Sequence, residues 1–152
     1  MLLSDFIQQD LVFEALKSAN KQNVIRELAD LICRARHDLN TNTVTNVLLE
    51  REKLGSTGIE DGIAIPHGKI SGLKNILVAF GRKKDGVAFD AHDGKPSNLF
   101  FVLLAPENSS AMHLKVLARL SRLLKNDQFR KKLLDANNPK SIYETIVHEE
   151  TP

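Results

Sequence analysis

The sequence predicts an α/β chain (α+β by some schemes) in which one mixed β-sheet is packed between helices. Three observations carry this. Two amphipathic helical patterns precede a β-rich middle, and further helical patterns fill the C-terminal third. The run Leu99 to Ala105 is almost unbroken apolar, as expected of a central strand covered on both faces. The 152 residues fit one domain, 1–152, and an apolar fraction of 42% is enough to build its core.

The first helix follows the polar cluster Ser18-Ala19-Asn20. Val24, Ile25, Leu28, Ala29, Ile32 and Cys33 recur at helical spacing, with Arg26, Glu27, Asp30 and Arg34 opposite. A second helix begins near Thr41-Asn42-Thr43, which offers capping side chains, and stops near Gly55. Its apolar stripe reads Val44, Val47, Leu48, and the next position on it is Arg51, out of character for a buried face. Gly55 to Gly62 then breaks all periodicity: three glycines in eight residues indicate a loop that admits positive φ and a close neighbour. Ile63-Ala64-Ile65 is a short strand that ends at Pro66-His67-Gly68, which places His67 at a strand end or in a loop.

Ile76 to Phe80 and Val87 to Phe89 are β-rich, and Lys84-Asp85-Gly86 between them predicts a hairpin. Helices are expected over Ser110 to Lys125, Gln128 to Ala136 and roughly Ser141 to His148.

Several function classes are disfavoured. Charged residues make up 26% of the chain but the formal net charge is only +2, so the pI of about 8.7 reflects no polybasic surface. The densest basic runs, Arg82-Lys83-Lys84 and Arg130-Lys131-Lys132, are explained as solvated faces; no nucleic-acid partner is expected. No apolar run reaches the ~20 residues of a membrane span, and the N-terminus has neither the basic n-region nor the long h-region of a secretory signal. Cys33 is the only cysteine and falls on an apolar helix face, so a buried free thiol in a reducing, cytoplasmic setting is expected.

Of five histidines, two stand out. His67, in Ile65-Pro66-His67-Gly68-Lys69, has neighbours that leave its side chain accessible. Its imidazole is mostly neutral at pH 7, with a lone pair free on one ring nitrogen. His113 shares a helix face with Val116, Leu117, Leu120 and Leu124, near a cap at Ser109 or Ser110, where backbone N–H groups and the helix dipole favour an anion. Arg51, before the glycine-rich loop, offers a guanidinium for bidentate anion contact, and Ser56 and Thr57 offer hydroxyls. Taken singly, each has an ordinary explanation: a loop histidine without a task, a satisfied semi-buried histidine, an arginine complementing a helix dipole. Together they suit phosphoryl transfer, which needs positioning and donors around three equatorial oxygens and here no cofactor.

Glu50-Arg51-Glu52-Lys53-Leu54-Gly55-Ser56-Thr57-Gly58-Ile59, followed by Gly62-Ile63-Ala64-Ile65-Pro66-His67-Gly68-Lys69, closely resembles the enzyme IIA domains of the fructose/mannitol family. These belong to the bacterial phosphoenolpyruvate-dependent phosphotransferase system. The likeness resumes at Gly86-Val87-Ala88-Phe89-Asp90-Ala91 and Leu103-Leu104-Ala105-Pro106-Glu107, and ends with His113-Leu114-Lys115-Val116-Leu117-Ala118.

The resemblance implies a mixed sheet of about five strands with helices on both faces. It implies that His67 is phosphorylated at Nε2 by a histidine phosphocarrier protein, itself charged by enzyme I, and that His113 and Arg51 stabilise the phosphate. Glu60 departs from the family, whose members often carry a small residue there; a carboxylate facing the site would repel the incoming group. The Gly-Ser-Thr-Gly-Ile run and the stand-alone length resemble the nitrogen-regulatory branch, whose members regulate target proteins. In the sugar-transporting branch the recipient would be a IIB domain. Two other readings are a metal site built from His67, His113 and His92 or Asp61, and an interaction module that keeps the fold without the chemistry.

Overall fold

A computed structural model gives the fold and describes residues 2–150. Two short 3-10 turns, Leu3–Asp5 and Gln9–Leu11, lead into β1 (Val12–Phe13). The helices α1 (Lys21–Ala35) and α2 (Thr41–Lys53) follow, then β2 (Ile63–Ala64), β3 (His67–Ile70), β4 (Leu77–Val87) and β5 (Ser97–Pro106). The chain ends with α3 (Ser110–Leu123), α4 (Asp127–Asp135) and α5 (Pro139–Glu150).

Capping side chains fix where three helices start. Asn20 accepts from Asn23 N at 2.9 Å, Asn40 from Thr43 N at 3.0 Å, and Asn126 from both Gln128 N and Phe129 N. The cap of α2 is thus Asn40, one residue before the expected cluster.

The five strands form one mixed sheet in the order β1-β4-β5-β2, with β3 pairing β5 further along the same edge as β2. β1 runs parallel to β4, β4 antiparallel to β5, and both β2 and β3 parallel to β5. β5 is central, and Leu99 to Ala105 are all fully buried, as its apolar run requires. Phe80 faces Phe101 across the β4–β5 pair, with ring centroids 5.0 Å apart and 68° between planes. Such an edge-to-face pair adds about 0.5–1.5 kcal/mol beyond area burial.

Helices cover both faces, as the side-chain alternation of β4 demonstrates. Gly81 lies under α1, where an added Cβ would come within 2.7 Å of Leu28. Its neighbour Arg82 points the opposite way and donates to the carbonyls of Leu133, Leu134 and Ala136 at the end of α4.

Three expectations need correction. Ile76–Phe80 and Val87–Phe89 are not a hairpin: residues 77–87 form one strand, and the hairpin partner is β5. Gly86, with φ of 80°, belongs to an irregularity in which residues 83–86 stand opposite the single Asn98. Secondly, His67 does not end the strand begun at Ile63. β2 stops at Ala64, Ile65-Pro66 interrupt the ladder, and His67 opens β3 on the same partner. Thirdly, Arg82 does not lie on a solvated face with Lys83 and Lys84: its side chain is buried, held by backbone carbonyls beneath α4.

Candidate functional site

The site forms where the end of α2, the start of β3 and the start of α3 meet. Gly68 makes the α2 contact possible: a Cβ there would lie 2.4 Å from Val47 Cγ1, so bare backbone lets α2 sit directly on β3. Val47 is one helical turn before Arg51. The close approach therefore carries Arg51 to His67, and Arg51 Nε donates to His67 Nε2 at 3.3 Å. From α3, the buried ring of His113 meets the His67 ring edge-on, with centroids 5.4 Å apart and 87° between planes. His113, Val116 and Leu120 are buried on one face of α3, with Leu124 just beyond it, as the helical spacing predicts. Arg51, His67 and His113, far apart in sequence, thus converge.

The hydrogen bonds of His67 determine its tautomer. Nδ1 lies 2.8 Å from the carbonyl oxygen of Ile65, which can only accept, so Nδ1 carries the proton. Nε2 faces the N–H of Arg51, which can only donate, so Nε2 carries the lone pair. The two partners agree on one neutral tautomer with its nucleophilic nitrogen on the Arg51 side.

Electrostatics keep this ring neutral. Burial pushes the His67 imidazole below its ordinary value of 6.5; the Ile65 hydrogen bond opposes the shift, Arg51 adds to it, and Glu52 opposes it. His113 is also held below 6.5, first by burial, then by the cost of charging it beside a protonated His67 and by the charge of Lys69. The arginine is held in place as well, since its Nη1 donates to the carbonyl of Gly55 at 2.8 Å.

The loop hydroxyls do not serve as expected. Ser56 Oγ donates to Phe89 O at 2.8 Å and accepts from Gly58 N at 3.0 Å. Buried Thr57 gives its hydroxyl to Glu52 Oε2, and its N–H donates to Glu52 Oε1 at 3.0 Å. Both are committed to holding the loop. Glu60 is exposed, and the carboxylate whose charge bears on His67 is Glu52.

Glu52 and its ion-pair partner Lys21, 2.9 Å away, escaped the sequence reading. A signal existed: Leu48 is fully buried, and Glu52 lies one turn beyond it on the same stripe. Lys69, two residues after His67 on β3, reaches Ser110 Oγ at the start of α3. Ser109, the N-cap of α3, makes no capping bond; its hydroxyl donates to Pro106 O at 2.8 Å.

His92 and Asp61 do not join the site. The N–H of His92 donates to Gly58 O, and Asp61 faces Arg130 at 3.9 Å. Among the described residues no group of three or more His, Cys, Asp and Glu side chains is placed to hold a metal ion. The exposed large hydrophobic side chains among those residues are Leu2, Leu54, Met112 and Leu114. In sequence, Leu54 is three residues from Arg51, and Met112 and Leu114 flank His113.

The chain is 39% identical to a nitrogen regulatory protein of Bradyrhizobium diazoefficiens over 147 residues, 97% of this chain and 95% of the relative. It is 36% identical to the fructose-specific EIIABC component of Bacillus subtilis over 146 residues, covering 96% of this chain but 23% of that longer protein. The crystal structure of nitrogen regulatory protein IIA-Ntr from Neisseria meningitidis superposes with a TM-score of 0.88 at 33% identity, covering 95% of this chain and 98% of the other. Residues 5–149 match the sequence model of one family, so the chain belongs to the EIIA 2 family of the phosphoenolpyruvate-dependent sugar phosphotransferase system.

Proposed function

We propose that this phosphotransferase-system protein is a phosphoryl carrier with a regulatory role, that it works as one domain over 1–152, and that it accepts the phosphoryl group on His67 Nε2. The tautomer carries the proposal: Ile65 O holds the proton on Nδ1, leaving the Nε2 lone pair beside Arg51 and the His113 ring. In the transfer step that lone pair forms a new P–N bond. The donor's P–N bond breaks, and its electron pair returns to the donor's ring nitrogen. Nδ1 keeps its proton throughout, donating it to Ile65 O, so no general base is required. In this reading Arg51 and His113 donate to the equatorial oxygens, where charge is spread.

The donor is proposed to be a histidine phosphocarrier protein charged by enzyme I, and the setting cytoplasmic. No helix among the described residues is long and apolar enough to cross a membrane. The exposed side chains of Leu54, Met112 and Leu114, close in sequence to Arg51 and His113, suit contact with a protein donor or recipient. The likeness to IIA-Ntr, at 33% identity and a TM-score of 0.88, favours a regulated target protein as the recipient. The fructose-specific relative keeps transfer to a IIB domain as the second reading.

Intact-mass spectrometry at neutral to mildly alkaline pH tests the proposal, with phosphoenolpyruvate, enzyme I and a histidine phosphocarrier present. One acid-labile phosphoryl adduct is expected on the wild type and none on His67→Ala. No adduct on either, with a cognate donor set, would leave the interaction module; labelling of His67→Ala would move the acceptor elsewhere. Adding a IIB domain then separates the two recipients, because loss of the adduct to it would identify the sugar-specific branch.

A further inference from the structure

Glu52 is a carboxylate in the last turn of α2, where the helix dipole favours cations and where Arg51 and Lys53 lie on either side of it. Its side chain is only 6% exposed. Neither the dipole nor burial favours an acid there, so its environment must supply the compensation. It does so through three donors: the Thr57 hydroxyl, the Thr57 N–H at 3.0 Å and Lys21 Nζ at 2.9 Å. Lys21, in the first turn of α1, also lies 4.8 Å from the centre of the Phe89 ring and 3.4 Å from Asp90.

The hydrogen bonds continue beyond Thr57 towards the reacting ring. Thr57 O accepts from Ile65 N at 3.0 Å, and Ile65 O accepts from His67 Nδ1 at 2.8 Å. Adjacent residues at the end of α2 therefore reach opposite nitrogens of one imidazole. Arg51 meets Nε2 directly, and Glu52 is connected to Nδ1 through Thr57 and Ile65. Each bond fixes the backbone that makes the next: Glu52 holds Thr57, Thr57 O holds Ile65 N–H, and the Ile65 carbonyl is thereby kept where it accepts from Nδ1–H.

We propose that Glu52, with Lys21 as its counter-ion, is a positioning residue that fixes the Nδ1–H tautomer of His67 through the Thr57–Ile65 relay. The inference deepens the reading of His67 as the phosphoryl acceptor and rests on it for its effect on rate. Glu52 touches neither the phosphoryl group nor the donor. Its contribution is the orientation and protonation pattern of the nucleophile, so it affects turnover more than donor binding.

The test uses the full chain and the variants Glu52→Ala, Glu52→Gln and Lys21→Met, with two readouts. The first is the rate of phosphorylation at saturating donor. Glu52→Ala is expected to lose about tenfold to a hundredfold in kcat with KM for the phosphocarrier little changed, as for other small displacements of a reacting group. The second is the imidazole 15N spectrum of the unphosphorylated protein. The wild type is expected to show a protonated Nδ1 and a bare Nε2, and Glu52→Ala a mixture of tautomers.

If Glu52→Ala fails to fold, Glu52→Gln carries the test. It keeps one acceptor for the Thr57 N–H and lacks the charge, so the same tautomer shift with a smaller rate loss is expected. Lys21→Met should move both readouts in the same direction. A folded Glu52 variant with the wild-type rate and nitrogen spectrum overturns the inference. Absence of labelling on the wild type would instead remove the acceptor reading, and the nitrogen spectrum would still decide whether Glu52 sets the tautomer.

Discussion

Arg51 donates its Nε–H to His67 Nε2 at 3.3 Å while its Nη1 is held by the carbonyl of Gly55 at 2.8 Å. The guanidinium is thus fixed at one end by its own helix terminus and turned at the other towards the nitrogen that would be phosphorylated. A planar fork can hold both contacts at once; a single ammonium cannot.

Arg51→Lys should therefore keep the charge and lose the geometry. Removing one preorganised donor from a transfer site costs on the order of a hundredfold or more in rate. The initial rate of His67 phosphorylation should fall by that order, with Arg51→Ala lower still. Thermal stability should change little, because Arg51 is only half-buried. Retention of the wild-type rate in Arg51→Lys would assign Arg51 to the helix dipole alone.

The depressed imidazoles give a pH dependence of stability with a definite sign. Folded His67 and His113 take up protons less readily than the unfolded chain, whose imidazoles titrate near 6.5. Below about 6.5 the unfolded state binds protons that the folded state refuses, so stability falls. The contribution is complete above 6.5 and diminishes as pH drops towards the lowered folded-state values. Urea unfolding from about pH 8 to about pH 5 should show this decline, and His113→Asn should flatten part of it. An unchanged slope in that variant would mean that His113 titrates alike in both states.

Much of this was legible in the residues, and the exceptions have physical reasons. Val24 through Cys33 and the run Leu99 to Ala105 have their expected burial, because periodicity records which face meets the core. His67, His113 and Arg51 were visible as polar residues breaking apolar or glycine-rich patterns. The hairpin was misplaced because Lys84-Asp85-Gly86 carries the same turn chemistry whether it reverses the chain or bulges a strand. β1 was missed because Val12 and Phe13 cannot display alternation. The sequence offers Ser56 and Thr57 as donors without deciding their partners, because hydroxyl side chains do not reveal in sequence which acceptor they serve. Here the acceptors are Phe89 O and Glu52.

Gly68 ties the fold to the site. The Cβ added by Gly68→Ala would meet Val47 Cγ1 at 2.4 Å, and β-branched Val47 has little freedom to turn away. Separating α2 from β3 should cost about 1–3 kcal/mol, the usual range for overpacking. It should also draw Arg51 from His67 and slow phosphorylation. Removing the obstructing methyls with Val47→Ala in the double variant should restore a large part of both losses. If the double variant is no better than the two single changes combined, the Gly68–Val47 contact is not what sets the distance from α2 to β3.

Arg82 provides a prediction in which stability and chemistry separate. Its side chain is buried on the face covered by α4, and among the described residues no carboxylate is bonded to it. Nε donates to Glu14 O at 3.0 Å, and Nη1 is shared among Leu133 O, Leu134 O and Ala136 O, the nearest at 2.6 Å. The last carbonyls of a helix lack intrahelical partners, and together they form its negative pole, so this guanidinium serves as the cap of α4. Burial lowers its pKa and Glu14 partly restores it. Arg82→Met fills similar space with no donor and should destabilise the fold by about 2–4 kcal/mol, since hydrogen bonds to charged groups are the costly ones to lose. Arg82→Lys should recover only part of that, because one ammonium cannot span carbonyls from Glu14 to Ala136. Phosphorylation per folded molecule should be unchanged in both variants, because none of these bonds reaches His67. A loss below about 0.5 kcal/mol for Arg82→Met, the range of ordinary surface changes, would mean that water caps α4 as well as the arginine does.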